Sequence, residues 1–129
     1  MTTTEPDSVK GTPSNECPLS LAALFLSSKW DLVVIYNLLE RPLRFSELRE
    51  RISKGLRKDL TPSSLTRILR KLEVDGIIEK TVTTSLGEGV EVTYGLTTQG
   101  KDLEPTLREL RIWGLRYSGK IPQQTETEQ

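Results

Sequence analysis

The sequence predicts a single α+β domain that is mostly α-helical. Apolar residues recur at helical spacing over much of the chain, whereas one stretch after residue 76 alternates apolar and polar residues as a β-hairpin does. A chain of 129 residues with 35% hydrophobic content is long enough for one small core and too short for two domains of ordinary size. We therefore expect one domain between polar ends.

The clearest helix is predicted over residues 61–75, TPSSLTRILRKLEVD. Thr61 is a good N-cap, and Pro62 suits the first helical position because no N–H is needed there. At about 100° per residue, the apolar side chains share one face and the polar side chains the other. The apolar face holds Leu65, Ile68, Leu69 and Leu72, and the polar face holds Ser63, Thr66, Arg67 and Arg70, with Lys71 beside them. A solvated basic face on a core helix would give the same pattern.

Two apolar helices are predicted near the start of the chain. Cys17 and Pro18 open a short helix that ends at Leu26 and is apolar nearly all round. In residues 29–39 the apolar side chains again surround the helix axis, which is typical of the central helix of a core.

A helix-turn-helix order follows from the next segment. Ser46 can cap a third helix that ends at Ile52, and residues 53–60 form a linker with one Gly and three basic residues. The amphipathic helix at 61–75 comes directly after this linker, and Gly76 marks its end.

A β-hairpin is predicted next. Ile77, Ile78 and Val82 indicate one strand, and residues 85–89 form a turn-rich tip. From Val90 to Leu96 apolar residues alternate with polar residues or Gly at period two. Two strands with a Gly-rich tip after a helix-turn-helix form a wing, so the predicted fold is a winged helix-turn-helix.

Apolar residues at both ends of this domain have no place in its core. The last helix, capped by Thr97 or Thr98, carries a stripe of Leu103, Leu107 and Leu110. We expect the first and last helices to be added dimerisation helices. Their interface residues would be Leu19, Leu21, Leu24, Phe25, Leu107, Leu110, Ile112, Trp113 and Leu115. The alternative is that these two helices pack only on each other.

The ends of the chain are polar. Residues 1–16 are rich in Thr, Ser and Pro and have almost no large apolar side chain, which predicts a flexible arm. The folded domain is expected over residues 17–118, and residues 119–129 are expected to form a flexible tail.

The residue types that catalysis and metal binding need are scarce. The chain has no His and one Cys, and it shows no nucleophile and base pair and no phosphate-binding loop. We therefore expect no enzyme activity, no metal and no cofactor. The longest apolar run, inside residues 19–26, is far shorter than the roughly 20 residues that span a bilayer, so no membrane contact is expected. These features together predict a cytoplasmic protein.

The charge distribution is more informative than the net charge, which is zero. Residues 44–80 contain ten basic and six acidic side chains, a local net charge of +4. This modest basic patch favours a polyanionic partner.

The sequence resembles the HxlR-type winged-helix transcriptional regulators, which are related to the MarR group. The matching segments are Cys17-Pro18, Lys29-Trp30, residues 42–48, 65–78 and 92–100, and Trp113-Gly114. The chain departs from the family in having Ser27-Ser28 where two glycines are usual, a longer linker before the amphipathic helix, and a wing tip without the typical proline and arginine. The last departure leaves open whether the wing makes a basic contact with a minor groove.

The resemblance implies a homodimeric transcriptional regulator that binds double-stranded DNA at an inverted repeat. The helix at 61–75 would enter the major groove, where Ser63, Thr66, Arg67 and Arg70 would contact bases. Phosphate contacts are expected from a second group: Arg44, Lys54, Arg57, Lys58, Ser64 and Lys71. A winged helix that serves only protein contacts is the main alternative function.

Cys17 is a possible redox site, because it resembles the N-terminal cysteine of redox-sensing members of the family. Its position at a helix start would lower the thiol pKa. A small residue with only a packing role is the alternative.

Overall fold

The computed structural model describes residues 17–87 and 89–120. In order, its elements are α1 (Pro18–Phe25), α2 (Lys29–Asn37), β1 (Leu43–Arg44), α3 (Phe45–Leu56), α4 (Pro62–Val74), β2 (Ile78–Ser85), β3 (Gly89–Leu96), α5 (Thr98–Lys101), α6 (Glu104–Arg116) and a 3-10 turn at Ser118–Lys120. Residues 1–16 and 121–129, where flexible ends are expected, lie outside the described residues. Gly119 and Lys120, which were placed in the expected tail, belong to the final turn.

The predicted start of α4 is confirmed. The hydroxyl of Thr61 accepts a hydrogen bond from the backbone N–H of Ser64 at 3.2 Å, and Pro62 occupies the first turn. Thr61 has an extended backbone, as an N-cap residue should.

The predicted end of α4 is confirmed as well. Gly76 has a φ of +82°, a conformation that residues with a Cβ rarely adopt. The N–H of Ile77 donates to the carbonyl of Leu72 at 2.9 Å, and the N–H of Gly76 donates to Glu73 at 3.0 Å. This pair of bonds is a Schellman motif, so the helix stops for a local reason.

The third helix is longer than its sequence indicated. α3 continues past Ile52 to Leu56, because Leu56 extends the apolar stripe that packs against the core. It ends at Arg57, which has a left-handed φ of 54°. The predicted linker at 53–60 is therefore wrong in its first half, and the connection to α4 is shorter than expected.

The start of α3 also differs from the prediction. The helix begins at Phe45, so Ser46 lies inside its first turn and is not the cap. The cap comes from Glu47, whose carboxylate accepts the backbone N–H of Arg44 at 3.3 Å. The pKa of Glu47 lies below its ordinary value because this N–H, and then the guanidinium of Arg41 at 3.2 Å, stabilise the charged form.

The sheet has three antiparallel strands in the order β1-β3-β2. β2 and β3 form the predicted hairpin, with Ile78 opposite Leu96 and Val82 opposite Val92. The sequence did not predict β1, in which Leu43 pairs with Tyr94. A strand of two residues is too short to show an alternating pattern.

The predicted last helix is two helices. Thr97 caps α5 by accepting the N–H of Gly100 at 3.2 Å, and α6 begins after Leu103 with Pro105 in its first turn. Gly100 lies so close to the residue before β2 that an added Cβ would clash with the carbonyl oxygen of Ile77. This close backbone approach fixes α5 beside the start of the hairpin.

The core is built around α2, which packs against α3, α4 and α6. Its buried apolar side chains are Val34, Ile35, Leu38, Leu43, Leu48, Ile52, Leu60, Leu65, Leu69, Leu72, Ile77, Ile78, Leu96 and Leu107. Leu107 is only 4% exposed within one subunit, because α6 lays it against α2. We therefore correct its assignment to a dimer interface. The prediction of a mostly helical winged helix-turn-helix with an added helix at each end is confirmed.

α1 is the least enclosed helix of the fold. None of its residues is buried, although its composition is apolar. Among the described residues no single helix is long and apolar enough to cross a bilayer; α1 and α2 reach that length only as a pair, bent by 77° at the break between them.

Candidate DNA interface

The exposed face of α4 carries the four side chains that the sequence assigned to base contacts. Ser63, Arg67 and Arg70 are exposed and Thr66 is half-buried. Their spacing places them on one side of the helix, opposite the buried leucines. Within residues 17–87 and 89–120, neither arginine forms an ion pair. Both guanidinium groups are therefore available to an external acceptor.

A second basic group lies beside the start of α4. Lys54, Arg57 and Lys58 are exposed at the end of α3 and in the turn that follows. They border a cleft of about 630 Å³ together with Ser53 and Asp59. None of the three is in an ion pair with another described residue. The left-handed conformation of Arg57 turns the chain here, so the basic side chains cluster at one end of α3.

Arg49 positions this region, and the sequence did not single it out. Its Nε donates to the carbonyl of Leu60, and its Nη2 lies 3.6 Å from Oδ1 of Asp59. Arg49 therefore ties the turn before α4 to the middle of α3. The sequence shows only that Arg49 is a basic residue on α3. Its two partners lie ten and eleven positions later, and only the geometry of the turn brings them to it.

Arg44 has an intramolecular partner in the wing. Its Nε lies 2.8 Å from the Glu91 carboxylate, and both side chains are about half exposed, at 61% and 47%. Exposed ion pairs of this kind are weak, so the guanidinium can exchange this partner for another anion. The phosphate assignment of Arg44 stays a prediction.

The sequence predicts a DNA phosphate contact for both Ser64 and Lys71, but the structure gives the two side chains different intramolecular partners. The hydroxyl of Ser64 accepts from Thr61 Oγ1 at 3.0 Å, so its own proton can still be donated outward. Lys71 instead turns toward the core side, where its Nζ lies 3.2 Å from Asp31 and 3.3 Å from Asp75. We therefore leave Lys71 out of the DNA contacts proposed below.

Large apolar side chains are exposed on both added helices. On α1, Leu19 is 78% and Leu24 67% exposed, and Phe25 is also exposed. On α6, Leu107 is buried, whereas Leu110, Ile112, Trp113 and Leu115 are exposed. Leu21 is half-buried. Because so much apolar surface stays exposed, packing of α1 and α6 on each other alone does not account for it.

Cys17 is an exposed thiol at the N-cap of α1. The backbone amides of Ser20, and then of Leu19, lower the pKa of this thiol because they stabilise the thiolate. The site therefore has the two properties of a reactive cysteine, exposure and a depressed pKa. Within the described part of the chain, no group of three or more His, Cys, Asp or Glu could hold a metal ion.

Comparison with known proteins places this arrangement in a family. The family described as HxlR-like helix-turn-helix matches residues 25–122. The chain belongs to this family. Among curated relatives, "Uncharacterized HTH-type transcriptional regulator YdeP" from Bacillus subtilis (strain 168) is 33% identical over 105 residues, which is 81% of this chain and 77% of that protein.

Solved structures agree with the fold. The reduced form of the transcriptional regulator YodB from B. subtilis superposes with a TM-score of 0.66 at 27% identity, over 83% of this chain and 99% of that chain. The structure described as "Redoxregulator HypR in its reduced form" superposes with a TM-score of 0.67 at 30% identity, over 79% and 94% of the two chains. This HxlR-like chain is thus a member of a family of helix-turn-helix transcriptional regulators.

Proposed function

We propose that this chain is a sequence-specific regulator of transcription that binds double-stranded DNA and acts in the cytoplasm, with no catalytic role. The observation that supports this most directly is the exposed face of α4, where Arg67 and Arg70 are not bound by other described side chains. In a helix-turn-helix this helix lies in the major groove. Arginine paired with a guanine edge is the commonest specific contact there, and Ser63 and Thr66 lie beside the two arginines.

The proposed phosphate contacts flank this face. Lys54, Arg57 and Lys58 lie at the end of α3, next to the N-terminal turn of α4, and Arg44 lies at the base of the wing. Together with the hydroxyl of Ser64 they would fix the orientation of α4 on the duplex.

The chain would bind DNA as a homodimer. The exposed apolar side chains of α1 and α6 support this, because a second copy would cover them. A two-fold axis would place two copies of α4 about one DNA turn apart, roughly 34–36 Å, and the operator would then be an inverted repeat.

The test is selection of bound duplexes from a random pool, followed by fluorescence anisotropy over a series of salt concentrations. We expect an enriched inverted repeat and an association constant whose logarithm falls linearly with the logarithm of the salt concentration. If no duplex is enriched and anisotropy detects no binding at low salt, DNA binding is excluded. A winged helix that serves only protein contacts then becomes the better explanation.

A redox switch at Cys17 is a second proposal. It is supported by the exposed thiol with its depressed pKa at the start of α1, a helix of the proposed dimer surface. HypR, to which this chain is similar, is described as a redox regulator and has been solved in reduced and oxidised forms. We expect mild oxidant to change operator binding by the wild type but not by Cys17→Ser. Identical responses of the two proteins would exclude the switch.

A further inference from the structure

The ammonium group of Lys71 connects the recognition helix to the junction of α1 and α2. Its Nζ donates to the backbone carbonyl of Phe25 at 3.0 Å and to Oδ2 of Asp31 at 3.2 Å, and it forms an ion pair with Oδ2 of Asp75 at 3.3 Å. Two carboxylates and a backbone carbonyl therefore surround the ammonium on the side of α4 that faces this junction. A DNA phosphate would have to compete with both carboxylates for Lys71 while this arrangement persists.

One of the two carboxylates that contact Lys71 is buried. Asp31 is 2% exposed and is the one charged residue found buried in residues 17–87 and 89–120. The same oxygen of Asp31 also accepts the backbone N–H of Ser27 at 3.1 Å and its hydroxyl at 3.4 Å. A buried carboxylate needs a compensating charge, so removal of the Lys71 ammonium leaves Asp31 uncompensated.

The two serines at the junction take part in the same network. Ser28 caps α2 by accepting the backbone N–H of Asp31 at 3.3 Å, and Ser27 binds the Asp31 side chain. Their hydroxyls and amides therefore fix the bend between α1 and α2. Phe25, whose carbonyl Lys71 binds, is the last residue of α1 and lies on the exposed apolar surface of that helix.

We propose that Lys71 is a positioning residue that sets the orientation of α4 relative to α1, and through α1 relative to the second subunit. This inference rests on the proposed DNA-binding function. The bridge joins the end of the proposed dimerisation helix to the last turn of the recognition helix across 46 positions of sequence. Without it, each subunit can still dimerise and still fold α4, but the two recognition helices are no longer held at the spacing that the operator requires.

The test compares Asp31→Asn with Lys71→Met and with the double variant. Simple electrostatics predicts that Asp31→Asn, which removes a negative charge, strengthens DNA binding. A positioning role predicts the opposite, a loss of operator affinity of about tenfold, within the usual range for coupling between sites. Lys71→Met should show a similar loss, and the double variant should lose little more than either single variant because all three break one network.

The salt dependence distinguishes positioning from phosphate contact. If Lys71 does not touch DNA, Lys71→Met lowers affinity without changing the slope of log affinity against log salt. Lys54 is one of the exposed residues proposed to contact DNA phosphates. Lys54→Ala should therefore lower that slope by about one unit. Glu73→Gln is the matched charge control on α4, because Glu73 is exposed and in no ion pair with another described residue; it should leave affinity unchanged or slightly higher.

Amide hydrogen exchange without DNA provides a separate readout. Asp31→Asn and Lys71→Met should speed exchange of the Ser27 amide, which donates to Asp31, and thermal melting should show that both variants remain folded. An unchanged Ser27 amide would overturn the bridge. Faster exchange with unchanged or higher operator affinity would overturn its positioning role. If the wild type binds no duplex, the proposed function fails, and exchange at Ser27 alone then decides whether the bridge orders the junction.

Discussion

α4 and α6 are both 13-residue helices that bury one side on the same core, yet their outer faces differ. The outer face of α4 is polar and carries Arg67 and Arg70. The outer surface of α6 carries large apolar side chains among charged ones, with Ile112 44% and Trp113 58% exposed. The inner faces serve the fold in the same way, so the outer faces indicate what each helix meets: a hydrated polyanion for α4 and a second apolar surface for α6.

A charge placed among the exposed apolar side chains of α6 should have the largest effect on dimerisation. Leu110→Glu would place a carboxylate in both copies of the proposed interface, where it loses its hydration. We expect dimerisation to weaken by more than about a hundredfold, with loss of binding to the inverted repeat. Sedimentation at micromolar concentration should then give a monomer of 14.5 kDa.

The control for this variant is an exposed apolar residue elsewhere. Val74, at the end of α4, is 86% exposed, and Val74→Glu should leave the sedimentation of the dimer unchanged. A wild type that sediments as a monomer and binds one half-site with full affinity would remove the proposed dimer.

Truncation of a core side chain should have the next largest effect. It should also distinguish leucines that are buried within one subunit from leucines that are exposed on it. Leu65 is fully buried, so Leu65→Ala should cost about 2–5 kcal/mol in the free energy of unfolding. Leu24 is 67% exposed, and Leu24→Ala should cost close to nothing in a monomeric Leu110→Glu background. Urea unfolding in that background measures both, and equal losses would show that α1 packs within its own subunit.

A truncation on the polar face should affect binding and leave folding intact. Arg67→Ala should cost about 1–3 kcal/mol of binding to the selected operator and far less on unrelated duplex. Arg51→Ala is the matched control, because Arg51 is exposed on the side of α3 that faces α2 and α6. Equal losses on both duplexes would assign Arg67 to phosphate contact.

The smallest expected effect concerns Cys17, the N-cap residue of α1. Because helix amides lower the pKa of Cys17, its thiolate should form at a lower pH in the folded chain than in the unfolded chain. Alkylation by iodoacetamide should therefore reach half its maximal rate at a lower pH in buffer than in urea. Coincident pH profiles would contradict the effect of the helix N-terminus.

The elements that could be predicted from the sequence are those with local signals. The start of α4 follows from Thr61 and Pro62, and its end follows from Gly76, because caps act within one helical turn. The hairpin follows from alternation between Val90 and Leu96. The polar face of α4 was predicted for the same reason, since helical periodicity alone determines which side chains share a face.

The tertiary structure decided what depends on partners distant in sequence. Leu107 and Leu110 look alike in the sequence, but Leu107 is buried and Leu110 is 47% exposed. β1 exists only because Leu43 lies beside Tyr94 of β3. Lys71 reads as one more basic residue of α4, and its role changes because Asp31 lies 40 positions away in sequence but 3.2 Å away in space. Periodicity fixes the faces of a helix, whereas the groups those faces meet are set by long-range packing.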